Sequence, residues 1–185
     1  MYRLNFKDLD IVAISDTHGR HRELDIPPCD VIIHLGDVCD FGCVNDIMDF
    51  IVWFTELPIK HKIYVSGNHD TMFESQNDYL ASLIDPSFFT YLENDIIDIK
   101  GVRFGSAPIR FEDSGEEWIN GKGIDILLTH CPPFAVFDDG YGSRRLMEYV
   151  SECEPVYHLF GHVHQEKPCS GKVGKTTYVN VSQKI

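Results

Sequence analysis

Five short polar blocks, each placed directly after an apolar run, constrain this chain more than any other feature. They read Asp16-Thr17-His18, Gly36-Asp37, Gly67-Asn68-His69-Asp70, Thr129-His130 and Gly161-His162-Val163-His164. The runs before them, Ile11–Ser15, Val31–Leu35, Ile63–Ser66, Ile124–Leu128 and Tyr157–Phe160, have the length and composition of buried β-strands. Side chains leaving the ends of several buried strands can converge on one point. Here the converging groups are Asp, His and Asn, with no thiolate among them. That donor set suits a pair of divalent cations bound through oxygen and imidazole nitrogen.

In order and spacing the blocks resemble the calcineurin-like metallophosphoesterase superfamily, whose pattern is D-x-H, G-D, G-N-H-(D/E), H and G-H-x-H. The match spans Asp16 to His164. A lone G-N-H would mean little; five blocks in order, each after a strand, are specific. The run from Gly36-Asp37 through Trp53 to Asp70, with Phe104-Gly105-Ser106-Ala107-Pro108 beyond it, is also similar to the small single-domain phosphodiesterase branch.

The resemblance implies a role for each residue. Asp16, His18, Asp37 and His164 hold one ion. Asp37, Asn68, His130 and His162 hold the other, so Asp37 is the shared carboxylate. His69 is the catalytic imidazole and Asp70 orients it. The ions are Mn²⁺, Fe²⁺/Fe³⁺, Zn²⁺, Co²⁺ or Ni²⁺, which this donor set alone does not distinguish. A metal-bridging hydroxide attacks phosphorus directly, without a covalent phosphoenzyme. From local geometry, Asp16 and His18, like His162 and His164, would point one way from extended backbone. Asp40 reads as ordering its loop rather than as a ligand. Arg20 and Arg110 are candidates for gripping a phosphoryl oxygen, since Arg pairs with it bidentately. Either could equally form a surface ion pair.

Four histidines fall outside this scheme. His34 and His158 lie in apolar strands and read as satisfied core residues. His61 reads as exposed loop. His21, close to Asp16 and His18, could touch substrate or sit in an exposed loop.

A formal net charge of −13 repels nucleic-acid phosphates, so long duplexes and nuclease activity are disfavoured. The site itself differs. Two divalent ions, two carboxylates and a hydroxide leave about +1 at its mouth by formal counting. A small phosphate ester remains a suitable substrate. The reading is therefore a binuclear phosphoesterase acting on small phosphodiesters. The alternatives are a phosphomonoesterase, for a protein or nucleotide, and a non-catalytic metal-binding scaffold.

The 185 residues are expected to form one domain, 1–185. No apolar run approaches the roughly 20 residues of a membrane span, and no signal-peptide core is apparent, so cytoplasm is the expected location. Six scattered cysteines without a C-x-x-C pair predict reduced thiols and no structural zinc. Cys131, next to His130, reads as a small buried residue before a redox-sensitive one.

Strand patterning predicts nine strands, with Phe88–Leu92, Ile96–Ile99, Val102–Gly105 and Thr177–Val181 added to those above. Helices are predicted at Val44–Leu57, Gln76–Ile84 and Ser143–Val150, the last with Ser143 as N-cap. Periodicity supports an α/β protein with mixed sheet. The resemblance implies the specific form, a four-layer α-β-β-α sandwich of two stacked mixed sheets flanked by helices.

Overall fold

The computed structural model describes residues 1–70, 84–107 and 118–182. The first sheet runs β1 (Tyr2–Phe6), β2 (Leu9–Ile14), β3 (Val31–His34), β4 (His61–Tyr64) and β5 (Thr90–Tyr91), side by side in that order. β1 is antiparallel to β2, and the rest are parallel. The second sheet has β6 (Ile96–Ile99), β7 (Val102–Ser106), β8 (Ile126–Leu128), β9 (Tyr157–Phe160), β10 (Cys169–Val173) and β11 (Thr176–Asn180) in the order β10-β11-β9-β8-β7-β6. Both sheets are mixed, and β7, β8, β9 and β11 are parallel.

Alternation along these strands explains the layering. Ile11, Ala13, Val31, Ile33 and Ile63 face one way and meet Val102, Phe104, Ile126, Leu128, Leu159 and Val179 of the second sheet. Val12, Ile14, Ile32 and Tyr64 face the other way, onto Ile47, Phe50, Trp53 and Phe54 of helix α1 (Val44–Glu56). Leu127, Phe160 and Tyr178 face Leu146, Tyr149 and Val150 of helix α2 (Arg144–Cys153). Strands buried on both faces read as nearly unbroken apolar runs, which is how they appear in the sequence. The result is the α-β-β-α sandwich.

The helices start and stop for local reasons. Pro58 follows the end of α1. Ser143 Oγ accepts from the Leu146 N–H at 3.1 Å and caps α2. The β6–β7 hairpin turns on Lys100 and Gly101, both at positive φ, as a two-residue turn of the favoured hand requires.

Two strands depart from expectation. β1 and β10 are edge strands poor in β-branched residues, and hairpin pairing with β2 and β11 makes them strands. Among the described residues there are eleven strands, where nine were expected. The helix expected over Gln76–Ile84 lies, apart from Ile84, outside the described residues, as does Arg110. No helix among the described residues is long and apolar enough to cross a membrane.

Candidate metal centre

All five blocks leave the C-terminal ends of parallel strands: β2, β3 and β4 in one sheet, β8 and β9 in the other. Backbone hydrogen bonds lace the emerging loops together. Asp16 N donates to Gly36 O at 2.9 Å, His18 N to Asp37 O at 3.0 Å, and Gly161 N to His130 O at 2.9 Å. The loops pack so closely that two glycines are obligatory. A Cβ on Gly67 would lie 2.2 Å from Asp37 Oδ1, and one on Gly36, at φ +88°, would lie 2.5 Å from Gly67 N.

The chain turns sharply here. Asp16, His18, Asp37 and His162 all have positive φ. Non-glycine residues rarely adopt that region, and clusters of such strain mark functional sites. The expected reason for convergence, extended backbone through Asp16–His18 and His162–His164, is therefore wrong. Left-handed turns at the strand ends aim the side chains instead.

The side chains gather into two adjoining groups. Asp16, His18 and His164 offer ligand atoms within 4.8 Å of one another, and so do Asp37, His130 and His162. His18 Nε2 and His164 Nε2 are 3.2 Å apart. Asn68 Oδ1 lies 2.9 Å from His130 Nε2 and 2.8 Å from His162 Nδ1. Asp37 Oδ2 lies 3.2 Å from His130 Nε2. Imidazole nitrogens that face each other, with carboxylates and an amide oxygen between them, match the donor chemistry of divalent transition ions. A third group, His18, Asp40 and His69, abuts the first.

The sequence model of the calcineurin-like phosphoesterases matches residues 9–166, a stretch that holds every one of these side chains. The chain belongs to that family. A UPF0046 protein of Caenorhabditis elegans is 32% identical, the match covering 95% of this chain and 70% of that protein. The human metallophosphoesterase domain-containing protein 1 is 29% identical, over 92% of this chain and 65% of its own length. Among solved structures, TT1561 of Thermus thermophilus superposes with a TM-score of 0.68 at 15% identity, covering 94% of this chain and 88% of that one, and so shares the fold. Membership gives the activity class: metal-dependent hydrolysis of phosphoric esters.

Without ions, the phosphoesterase site balances its own charges. Burial works against ionisation of Asp37, but His130 beside it overrides this and holds the carboxyl below its usual range. Burial likewise works against protonation of His130, and Asp37 with Asp16 lifts it to about 9. The metal-free chain therefore keeps a proton on His130 at neutral pH, and an incoming cation must displace it. Affinity for Mn²⁺ should rise about tenfold per unit between pH 7 and pH 9, then flatten. Calorimetric titration across that range checks this; an affinity independent of pH would show that binding displaces no proton from His130.

Other residues depart from expectation. Asp70 does not orient His69. It is fully buried, and its carboxylate accepts from the N–H groups of Asp37 (2.8 Å), Gly67 (2.8 Å) and Val38 (2.9 Å) and from Tyr64 OH (2.8 Å). It ties the Asp37 loop to the Gly67 turn. Removing it strands several buried donors, so Asp70→Ala should lower stability by about 3 kcal/mol or more in a denaturant titration. Unchanged stability would contradict the tie.

His21 is neither exposed nor in the site. It is fully buried, Nε2 lies 2.9 Å from Asp49 Oδ2, and the ring packs on Phe50 and Trp53. His61 belongs to β4 and is half-buried. His34 and His158 are core residues. Their Nε2 atoms meet Thr17 Oγ1 at 3.0 Å and Thr129 Oγ1 at 2.8 Å, while Nδ1 of each lacks a partner among the described residues. Burial pulls both down to about 3, so both are neutral. Arg20 pairs with Glu23 on the surface at 3.1 Å. Asp40 Oδ1 approaches His18 Nδ1 at 2.7 Å, a close contact without hydrogen-bond alignment. Burial pushes the Cys131 thiol up to about 12, leaving it inert, and all six cysteines are unpaired.

Sequence reasoning passed over Phe41 and Tyr141, whose rings lie against His69 and His162. The available signal was a large aromatic inside a turn-forming stretch, Asp40-Phe41-Gly42 and Gly140-Tyr141-Gly142, with no strand or helix to bury it.

Proposed function

We propose that the chain is a binuclear metal phosphoesterase that hydrolyses small phosphodiesters. The observation that carries this reading is the pair of adjoining ligand groups, Asp16-His18-His164 and Asp37-His130-His162, with Asn68 Oδ1 against both histidines of the second. Asp16, His18 and His164 would hold one ion. Asn68, His130 and His162 would hold the other, with Asp37 shared. When bound, divalent ions supply Lewis-acid polarisation of phosphoryl oxygens and acidify water toward neutrality.

The chain's own residues position and protonate. Asp16 accepts from the His162 N–H through both carboxylate oxygens at 3.1 Å, which locks the first block to the last. Asp37 Oδ1 accepts from the His69 N–H at 2.8 Å, so the shared carboxylate and the catalytic imidazole are held in one register. The Phe41 N–H, which can only donate, points at His69 Nδ1 from 3.4 Å. Nδ1 is then the acceptor, and the neutral ring carries its proton on Nε2. That N–H is the donor His69 presents to the leaving oxygen, and complete transfer of a proton there requires the doubly protonated ring.

A diester carries one negative charge where a monoester carries up to two. A chain of net charge −13 repels the approaching monoanion less than a dianion, while the site itself, about +1 by formal count, accepts either. Arg20 could add a grip on phosphate only by leaving Glu23.

The test is chelator-stripped protein supplied with each candidate ion and assayed on model diesters and monoesters side by side. Stripped protein should be inactive, Mn²⁺ or a similar ion should restore hydrolysis, and diesters should be preferred. Full activity in excess chelator, with metal absence confirmed by elemental analysis, would defeat the mechanism. A monoester preference would replace the substrate reading.

A further inference from the structure

The two most exposed large hydrophobic side chains among the described residues both stand against the candidate metal centre. Phe41 is 88% exposed and Tyr141 is 69% exposed. The Phe41 ring lies 5.1 Å from the His69 ring, and the Tyr141 ring lies 5.7 Å from the His162 ring at an interplanar angle of 84°. Single exposed apolar residues are ordinary, but they scatter. Here both extremes border one site, and they come from loops in opposite halves of the chain.

The backbone that carries each ring is fixed by its turn. Phe41 has φ +50°, a region a bulky residue rarely enters. Gly42 N donating to His69 O at 2.9 Å and Cys43 N to Asp40 O at 3.2 Å close the turn around it. Tyr141 N donates to Asp138 O at 2.7 Å, directly after Gly140 at φ +87°. Polar imidazoles lie beside both rings, so they do not belong to one contiguous apolar patch of the kind that docks a protein. Each offers a free aromatic face, which recognises another flat ring by stacking whatever its substituents.

From this we infer that Phe41 and Tyr141 bind the organic groups of the ester, and that the substrate carries a flat aromatic ring, either a nucleobase or an aryl group. The inference rests on the phosphoesterase reading above. Phe41 borders His69 and so flanks the departing group. Tyr141 borders His162, beside the second ligand group, and so flanks the group that stays. A diester has one such group on each side of phosphorus.

The experiment measures binding rather than turnover, by calorimetry on the Mn²⁺-loaded 185-residue chain. Adenosine 5′-monophosphate is compared with ribose 5-phosphate, and phenyl phosphate with methyl phosphate. Within each pair only the ring differs. The ring-bearing member should bind about tenfold more tightly. That ratio should fall toward one in the Phe41→Ala, Tyr141→Ala double variant, stay high in Phe41→Tyr, and fall in Phe41→Leu, which is apolar but not flat. A fall confined to the nucleotide pair identifies a nucleobase, and one confined to the phenyl pair identifies an aryl group. An unchanged ratio in the double variant, or no preference in the parent chain, overturns the inference. A chain that hydrolyses no ester yet shows the ring-dependent ratio loses the proposed activity and keeps the aromatic site. A chain that binds none of the four loses both.

Discussion

Asp37→Asn should strip the chain of bound metal and of activity together. Asp37 is buried, and it is the only carboxylate in the second ligand group. One oxygen is occupied by the His69 N–H, and the other faces His130. Asparagine keeps the shape and removes the charge. Its amide would also turn an N–H₂ group toward His130 or the His69 N–H, donor against donor. Losing a residue that merely supports a ligand lowers metal affinity or activity about 10- to 100-fold. Losing the shared carboxylate should exceed that, with kcat/KM falling by at least about 100-fold. Metal content by elemental analysis and kcat/KM on the same preparation check it. Two tightly held ions with normal turnover would place the shared ligand elsewhere.

His69→Ala should separate chemistry from metal binding. The His69 backbone N–H reaches Asp37, and an alanine keeps that bond. Ions and fold should therefore persist. General acid catalysis contributes about 10²- to 10⁴-fold, so the loss should be of that size for an alkoxide leaving group. It should be much smaller for a nitrophenolate, which departs without a proton. Equal loss on both esters would replace proton donation with stabilisation of transition-state charge. Loss of an ion would make His69 a ligand together with His18 and Asp40, whose ligand atoms lie within 4.8 Å of its own.

Much of this was legible before any coordinates. Donor chemistry is a property of residue type, and a strand that ends in a polar block is a local pattern. Asp16, Asp37, Asn68, His130 and His162 could be picked out on those grounds. So could α1, from the spacing of Ile47, Phe50 and Phe54, and the cap at Ser143. Edge strands were less legible. β1 and β10 carry weak local signals because half their definition lies in the strand beside them.

What the sequence determined by itself was the donor set, the order of the strands that carry it, and the two apolar faces that let those strands stack. What only the tertiary structure decided was where each side chain finally points. Asp70 sits next to His69 in sequence, yet its carboxylate turns inward to bonds with Asp37 and Val38, more than thirty residues away. His21 looks like a loop residue beside the site, yet α1 supplies Asp49 and two aromatic rings to bury it. Left-handed turns at Asp16, His18, Asp37 and His162 replace the extended geometry that spacing suggests, because loops crossing within glycine-only distance leave no other path. The physical reason is the same in each case. Residue type sets what a group can bind, but hydrogen bonds and packing from distant segments set which partner it meets.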